Sequence, residues 1–136
     1  MNRSAIRELA FKLIYSLEIQ KNENIDEQIE LYIEAGEITD TKAVTYIKET
    51  VNGIEKHKEE IISLIEKNLK ADWEISRVSK IDISLLKLAI YEIKYTDIPY
   101  KVAINEVVEL AKKYGEDTSK NFVNGILASV IKEIGE

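Results

Sequence analysis

Apolar residues return every three or four positions along almost the whole chain and almost nowhere at every second position, which confines it to packed α-helices. From Arg3 to about Lys21, Ile6, Leu9, Ala10, Leu13, Ile14 and Leu17 form one apolar arc, while Phe11, Tyr15 and Ile19 form a second on another side. An outer helix of a small domain needs one buried stripe, so the second arc calls for a further helix or a partner. Asn22 to Asn24 make a polar break before a short acidic helix, Ile25 to Ala35, with Ile29, Tyr32 and Ile33 inward and Gly36 ending it. Asp40 or Thr39 can cap the next helix, which carries Ala43, Val44, Tyr46, Ile47 and Val51. Gly53 is expected to mark a bend, after which Ile61, Ile62, Leu64, Ile65 and Leu69 resume the pattern.

Ala71 to Val78 read as a loop or short helical turn, with Trp73 as a buried lid. Ser79 and Asp82 have capping-box spacing, Asp standing in for the usual Glu, and open a strongly apolar helix through Ile81, Leu85, Leu86, Leu88, Ala89, Ile90 and Ile93. That helix is the expected centre of the core. Pro99 suits the first turn of the following helix because a missing N–H costs nothing there. Ala103, Ile104, Val107, Val108, Leu110, Ala111 and Tyr114 share one side of it up to Gly115, and a last helix from about Thr118 turns Phe122, Val123, Ile126, Leu127, Val130 and Ile131 inward. At 136 residues the chain suits one domain, 1–136, with a single core.

Several chemistries are excluded by composition. Without Cys there is no disulfide framework, thiolate metal site or Cys nucleophile, and His57 alone cannot build a zinc site of two or three histidines. No glycine-rich phosphate loop or paired nucleophile and base is present, so no enzymatic activity, catalytic residue, metal or cofactor is expected. No apolar run approaches bilayer length, and Met1 to Arg7 lead into an amphipathic helix rather than a signal peptide, so no membrane partner and a cytoplasmic location are expected. Of the net charge of −6, the acidic excess lies in residues 22 to 70, which hold twelve Asp and Glu against six Lys. Residues 1 to 21 reverse this, with four basic against two acidic residues. Strong unaided binding to phosphates needs clustered cations, so a nucleic-acid role would use a local patch completed by a partner.

Two blocks, Ile98 to Glu109 (IPYKVAINEVVE) and Phe122 to Leu127 (FVNGIL), contain small and polar residues that core packing rarely chooses, and they stand with two further blocks, Arg3 to Tyr15 (RSAIRELAFKLIY) and Asp82 to Glu92 (DISLLKLAIYE). Asn105 and Glu106 interrupt an apolar face, and Asn is a poor helix former that wants a fixed partner. Asn124 and Gly125 do the same, since glycine within a helix costs about 1 kcal/mol relative to Ala. For all four, a buried hydrogen bond or a close helix crossing is the favoured structural reading, with close approach of a ligand as the alternative. Arg3 and Arg7, four apart, could grip adjacent phosphates or could be solvated charges. Lys101 and Lys120 can neutralise phosphate, and Phe122 can either stack on an unpaired base or belong to the core.

In spacing and order the four blocks resemble the NusB family of bacterial transcription antitermination factors over nearly the whole chain. The resemblance implies an all-α fold of about seven helices in two small three-helix bundles packed across each other. It also implies a non-catalytic role: with the small-subunit ribosomal protein NusE, recognition of boxA-type single-stranded RNA in ribosomal operons and delivery of it to a transcription elongation complex. Arg3 and Arg7 match the family's RNA-contacting helix start, and Tyr15 and Asp82 match its contacts with NusE. Some members self-associate, and the sequence does not decide between monomer and homodimer. Two alternatives stay open: a helical protein adaptor that does not bind RNA, and an RNA-binding domain like that of certain ribosomal RNA cytosine methyltransferases.

Overall fold

Seven α-helices and one short 3-10 helix make up the described part of the computed structural model, residues 1–21 and 24–135, with no strand among them. Asn22 and Glu23, part of the expected polar break, lie outside the described residues. The helices fall into two compact units, Met1–Lys56 and His57–Glu136. The first holds three helices as expected, and the second holds four because the segment after His57 joins it as an extra helix.

In the first unit, α1 (Arg3–Ile19), α2 (Ile25–Ala35) and α3 (Thr41–Lys56) each begin at a short polar residue whose side chain takes up an orphan N–H of the first turn. Asn2 Oδ1 accepts from Ala5 N at 2.8 Å, Asn24 Oδ1 from Glu27 N at 3.0 Å and Asp40 Oδ1 from Ala43 N at 3.1 Å. Ile6, Ala10, Phe11, Leu13 and Ile14 of α1, Ile29 of α2, and Ala43, Ile47, Val51 and Ile54 of α3 are buried. Tyr32 ties α2 to α1 by donating its hydroxyl to Leu9 O at 2.7 Å.

The end of α2 is built one residue later than its glycine suggests. Gly36 has ordinary right-handed backbone, whereas Glu37 has φ 51°. Glu37 N donates to Glu34 O and Ile38 N to Ile33 O, the paired bonds of a Schellman motif with Glu37 in its left-handed place. Gly53 does not end its helix, since α3 runs through it to Lys56. The chain breaks at His57 instead, whose ring stacks on Tyr95 at 3.7 Å between centroids.

In the second unit, α4 (Lys58–Lys67), the 3-10 turn Ile75–Arg77, α5 (Lys80–Tyr95), α6 (Tyr100–Tyr114) and α7 (Ser119–Glu133) follow in order. Asp82 to Ile90 of α5 are all buried, which a helix can sustain only when neighbours cover it on every side, so α5 is the core element its apolar sequence foretold. Pro99 stands just before the first turn of α6 rather than within it. The start of α4 is held by Glu60, which accepts from Lys94 Nζ at 2.9 Å and from the Tyr95 hydroxyl. Its end is clasped to α7 through Asn68, whose amide donates to Leu64 O at 2.7 Å and Glu133 Oε1 at 2.8 Å while accepting from Ser129 Oγ.

Candidate nucleic-acid and partner surfaces

On the first unit, Arg3 is exposed at the start of α1, but Arg7 is only 4 % exposed. The expectation that the two guanidinium groups grip adjacent phosphates is therefore corrected. Arg7 stands three and four positions before Ala10 and Phe11, and this shared helical phase carries it inward with them. Tyr15 is half-buried and stacks on Phe11 at 6.3 Å, leaving part of its ring for a partner. Ile19, further along the same arc, is 53 % exposed.

On the second unit, Lys101 and Lys120 are exposed at the starts of α6 and α7. Three of the four residues assigned to packing are not packed. Asn105 and Asn124 are exposed, and a Cβ added to Gly125 would meet no atom within 4 Å. Hence neither a buried hydrogen bond nor a close helix crossing explains them, because both would need a neighbouring helix where there is open space. Glu106 alone of the four turns partly inward. The exposed side of α7 reads Lys120, Asn121, Asn124, Gly125, Ala128, Ser129, Lys132 and Glu133: small or uncharged polar side chains lie between its two cations, and the acid at its end is paired with Lys67 at 3.7 Å. A surface of that composition presents hydrogen-bonding groups and positive charge with little bulk, so a polyanion can come close to the helix backbone.

Phe122, left open between core and stacking, is half-buried and lies against Trp73, with ring centroids 6.0 Å apart and planes inclined by 30°. Trp73 is not a lid, being 46 % exposed. Its exposure was the residue most easily missed in the sequence, and the available signal was its setting between Asp72 and Glu74 in a segment without helical periodicity.

Asp82, expected at a partner surface, is 8 % exposed. Ser79 Oγ caps α5 by accepting from Asp82 N at 3.1 Å, one half of the expected capping box. Among the described residues Asp82 Oδ1 is buried without a hydrogen-bond partner. Burial pushes the carboxyl above the usual carboxylate range, hydrogen bonds from Ser119 and Ser79 draw it back down, and the charge of Glu116 adds a smaller upward push. It therefore offers a partner little surface of its own. No helix among the described residues is long and apolar enough to cross a membrane.

Both the sequence and the all-helical fold match known proteins closely. The NusB family model covers residues 4–132. The transcription antitermination protein NusB of Acetivibrio thermocellus is 49% identical over 133 residues, covering 97% of this chain and 90% of that protein. That of Clostridium novyi is 46% identical, with 97% and 99% covered. Among solved structures, T. maritima NusB superposes with a TM-score of 0.88 at 34% identity, over 98% of this chain and 92% of that one. A chain of the antitermination factors NusB and NusE in complex with dsRNA gives 0.85 at 30% identity, with 96% of each chain covered. With the family model matched over residues 4–132 and near full-length matches in both sequence and fold, the chain belongs to the NusB family.

Proposed function

We propose that residues 1–136 act as one RNA-binding domain of a transcription antitermination factor, holding boxA-type single-stranded RNA together with a NusE-like ribosomal protein and joining it to the elongation complex. No bond is made or broken in this role, and the site of action is the cytoplasm. The observation that carries the reading is the open surface around Gly125. Glycine and asparagine are poor choices for a solvated helix, so their presence beside Lys120 with no helix packed on them favours a ligand that comes close. The names of the relatives and the NusB, NusE and dsRNA complex support the same reading.

In this reading Arg3, Lys101 and Lys120 neutralise phosphates and Phe122 contributes to base stacking. Tyr15 meets the protein partner, while Asp82 shapes the start of α5 rather than reaching out. With a net charge of −6 the chain gains from a basic partner that extends the phosphate-binding surface, since counterion release scales with the number of phosphates neutralised. The test is a titration of boxA-type RNA into the protein with and without NusE at two salt concentrations. Weak binding alone, strengthened at least tenfold by NusE, is the expected result, and equal affinity in both arms contradicts the shared site. Sedimentation of the free protein then decides between a monomer and a homodimer that covers this surface.

A further inference from the structure

Trp73 and Phe122 are brought together from the loop after α4 and from α7, and their contact leaves the larger ring nearly half in solvent. An indole that served only the core would be covered. One that is exposed yet braced by a second ring is held in place before any ligand arrives, so stacking on it loses little side-chain freedom.

An open recess of about 390 Å³ lies beside the indole, lined by Glu66, Leu69, Trp73, Glu74, Ile75 and Ser76. That volume falls within the range of roughly 300–1,000 Å³ typical of small-ligand clefts. Its two carboxylates repel phosphate, so a nucleotide backbone cannot run through it. The edge of a base can, because exocyclic amines and ring N–H groups are donors that a carboxylate accepts. Cations stand outside the recess: Lys70 and Arg77 flank the loop, and Lys120 precedes Phe122 by two residues, all exposed, with Asp72 the opposing charge in the loop. The charges thus sort a strand, with phosphate outside and base inside.

We propose that Trp73, braced by Phe122, is a stacking platform for one unpaired base of the bound RNA, with the donor edge of that base directed to the Glu66 and Glu74 recess. The proposal rests on the RNA-binding reading above and extends it to a residue outside the α7 surface.

Trp73 is the one tryptophan of the chain, so its emission is a private signal. A boxA-type single-stranded RNA, and the same RNA with an abasic sugar placed at each position in turn, are titrated into wild type, W73A and W73F with and without NusE. Affinity is read from the anisotropy of labelled RNA, and Trp73 emission as the difference between wild type and W73F. Expected are quenching of Trp73 by RNA, an affinity about tenfold lower in W73A with an unchanged salt slope, and recovery of most of the loss in W73F. At one abasic position wild type and W73A should become equal. Tight RNA binding with no quenching and no effect of W73A overturns the platform while leaving the RNA reading intact. No RNA binding by wild type in either arm overturns both. Should W73A lose its helical circular dichroism, the quenching and the abasic scan on wild type decide alone.

Discussion

Gly115 and Ser119 approach so closely that a Cβ placed on Gly115 would lie 2.6 Å from both Cβ and Oγ of Ser119 and 2.8 Å from Ala111 O. The turn from α6 into α7 depends on this. Ser119 is 3% exposed and its Oγ accepts from Glu116 N at 3.0 Å, so neither side of the contact can move away without breaking the turn. The backbone of Gly115 is extended, and the need for glycine is one of space alone. Gly115→Ala should therefore destabilise the protein by about 1–3 kcal/mol, the range for overpacking a filled site, as measured by urea unfolding. A change below about 0.5 kcal/mol, typical of a harmless surface substitution, would show that the turn adapts.

Glu37 carries the opposite lesson. It adopts the left-handed conformation at the end of α2, which costs a residue with a Cβ about 1–2 kcal/mol, while Gly36 beside it has no use for its freedom. Glu37→Gly should raise stability by about 0.5–1 kcal/mol after allowing for the greater entropy of glycine in the unfolded chain. Thermal unfolding of the variant, expected a few degrees above wild type, checks it.

Helix content, the central place of α5 and the cap at Asp40 were legible because each follows from spacing along one segment: period 3.6 for a buried stripe, and a short polar residue before it for a cap. Burial at single positions was less legible. Arg7 and Asp82 look like surface charges in sequence, yet both lie in the same helical phase as buried neighbours, and a charged side chain follows its phase inward when partners there can receive it. Asn105, Asn124 and Gly125 look like packing features but face open space, because what a helix face meets depends on where the next helix runs. The end of α2 eluded the sequence for a local reason: a glycine is adjacent to the left-handed position without occupying it.

Gly125 allows stability and ligand binding to be separated. With nothing within 4 Å of its missing Cβ, Gly125→Ala should stabilise α7 by about 1 kcal/mol. If RNA approaches the helix backbone there, the same methyl group should weaken RNA affinity by several-fold while the fold becomes more stable. Unfolding and RNA titration on one preparation read both. A gain in stability with unchanged affinity would remove Gly125 from the RNA surface.

Asp40 and Asp82 both stand at helix starts, and their titrations should leave opposite marks on stability. Asp40 accepts a hydrogen bond from Ala43 N, and beyond that from the amino terminus, which holds its carboxyl below the ordinary value of 3.8. A carboxyl depressed in the fold stabilises above its unfolded pKa, and that contribution is lost as pH falls through the depressed one. For Asp82, burial dominates and raises the folded pKa above 3.8, so the folded state favours the protonated acid. Its penalty is absent below the unfolded pKa, grows as pH rises from there through the raised value, and is full above it. Asp40→Asn should therefore lose stability relative to wild type as pH rises from 3 to 7, and Asp82→Asn should gain over the same interval. Urea unfolding of both variants at closely spaced pH values is the measurement. Parallel slopes for the two variants would mean that Asp82 ionises as freely as a surface acid and that its buried Oδ1 carries no penalty.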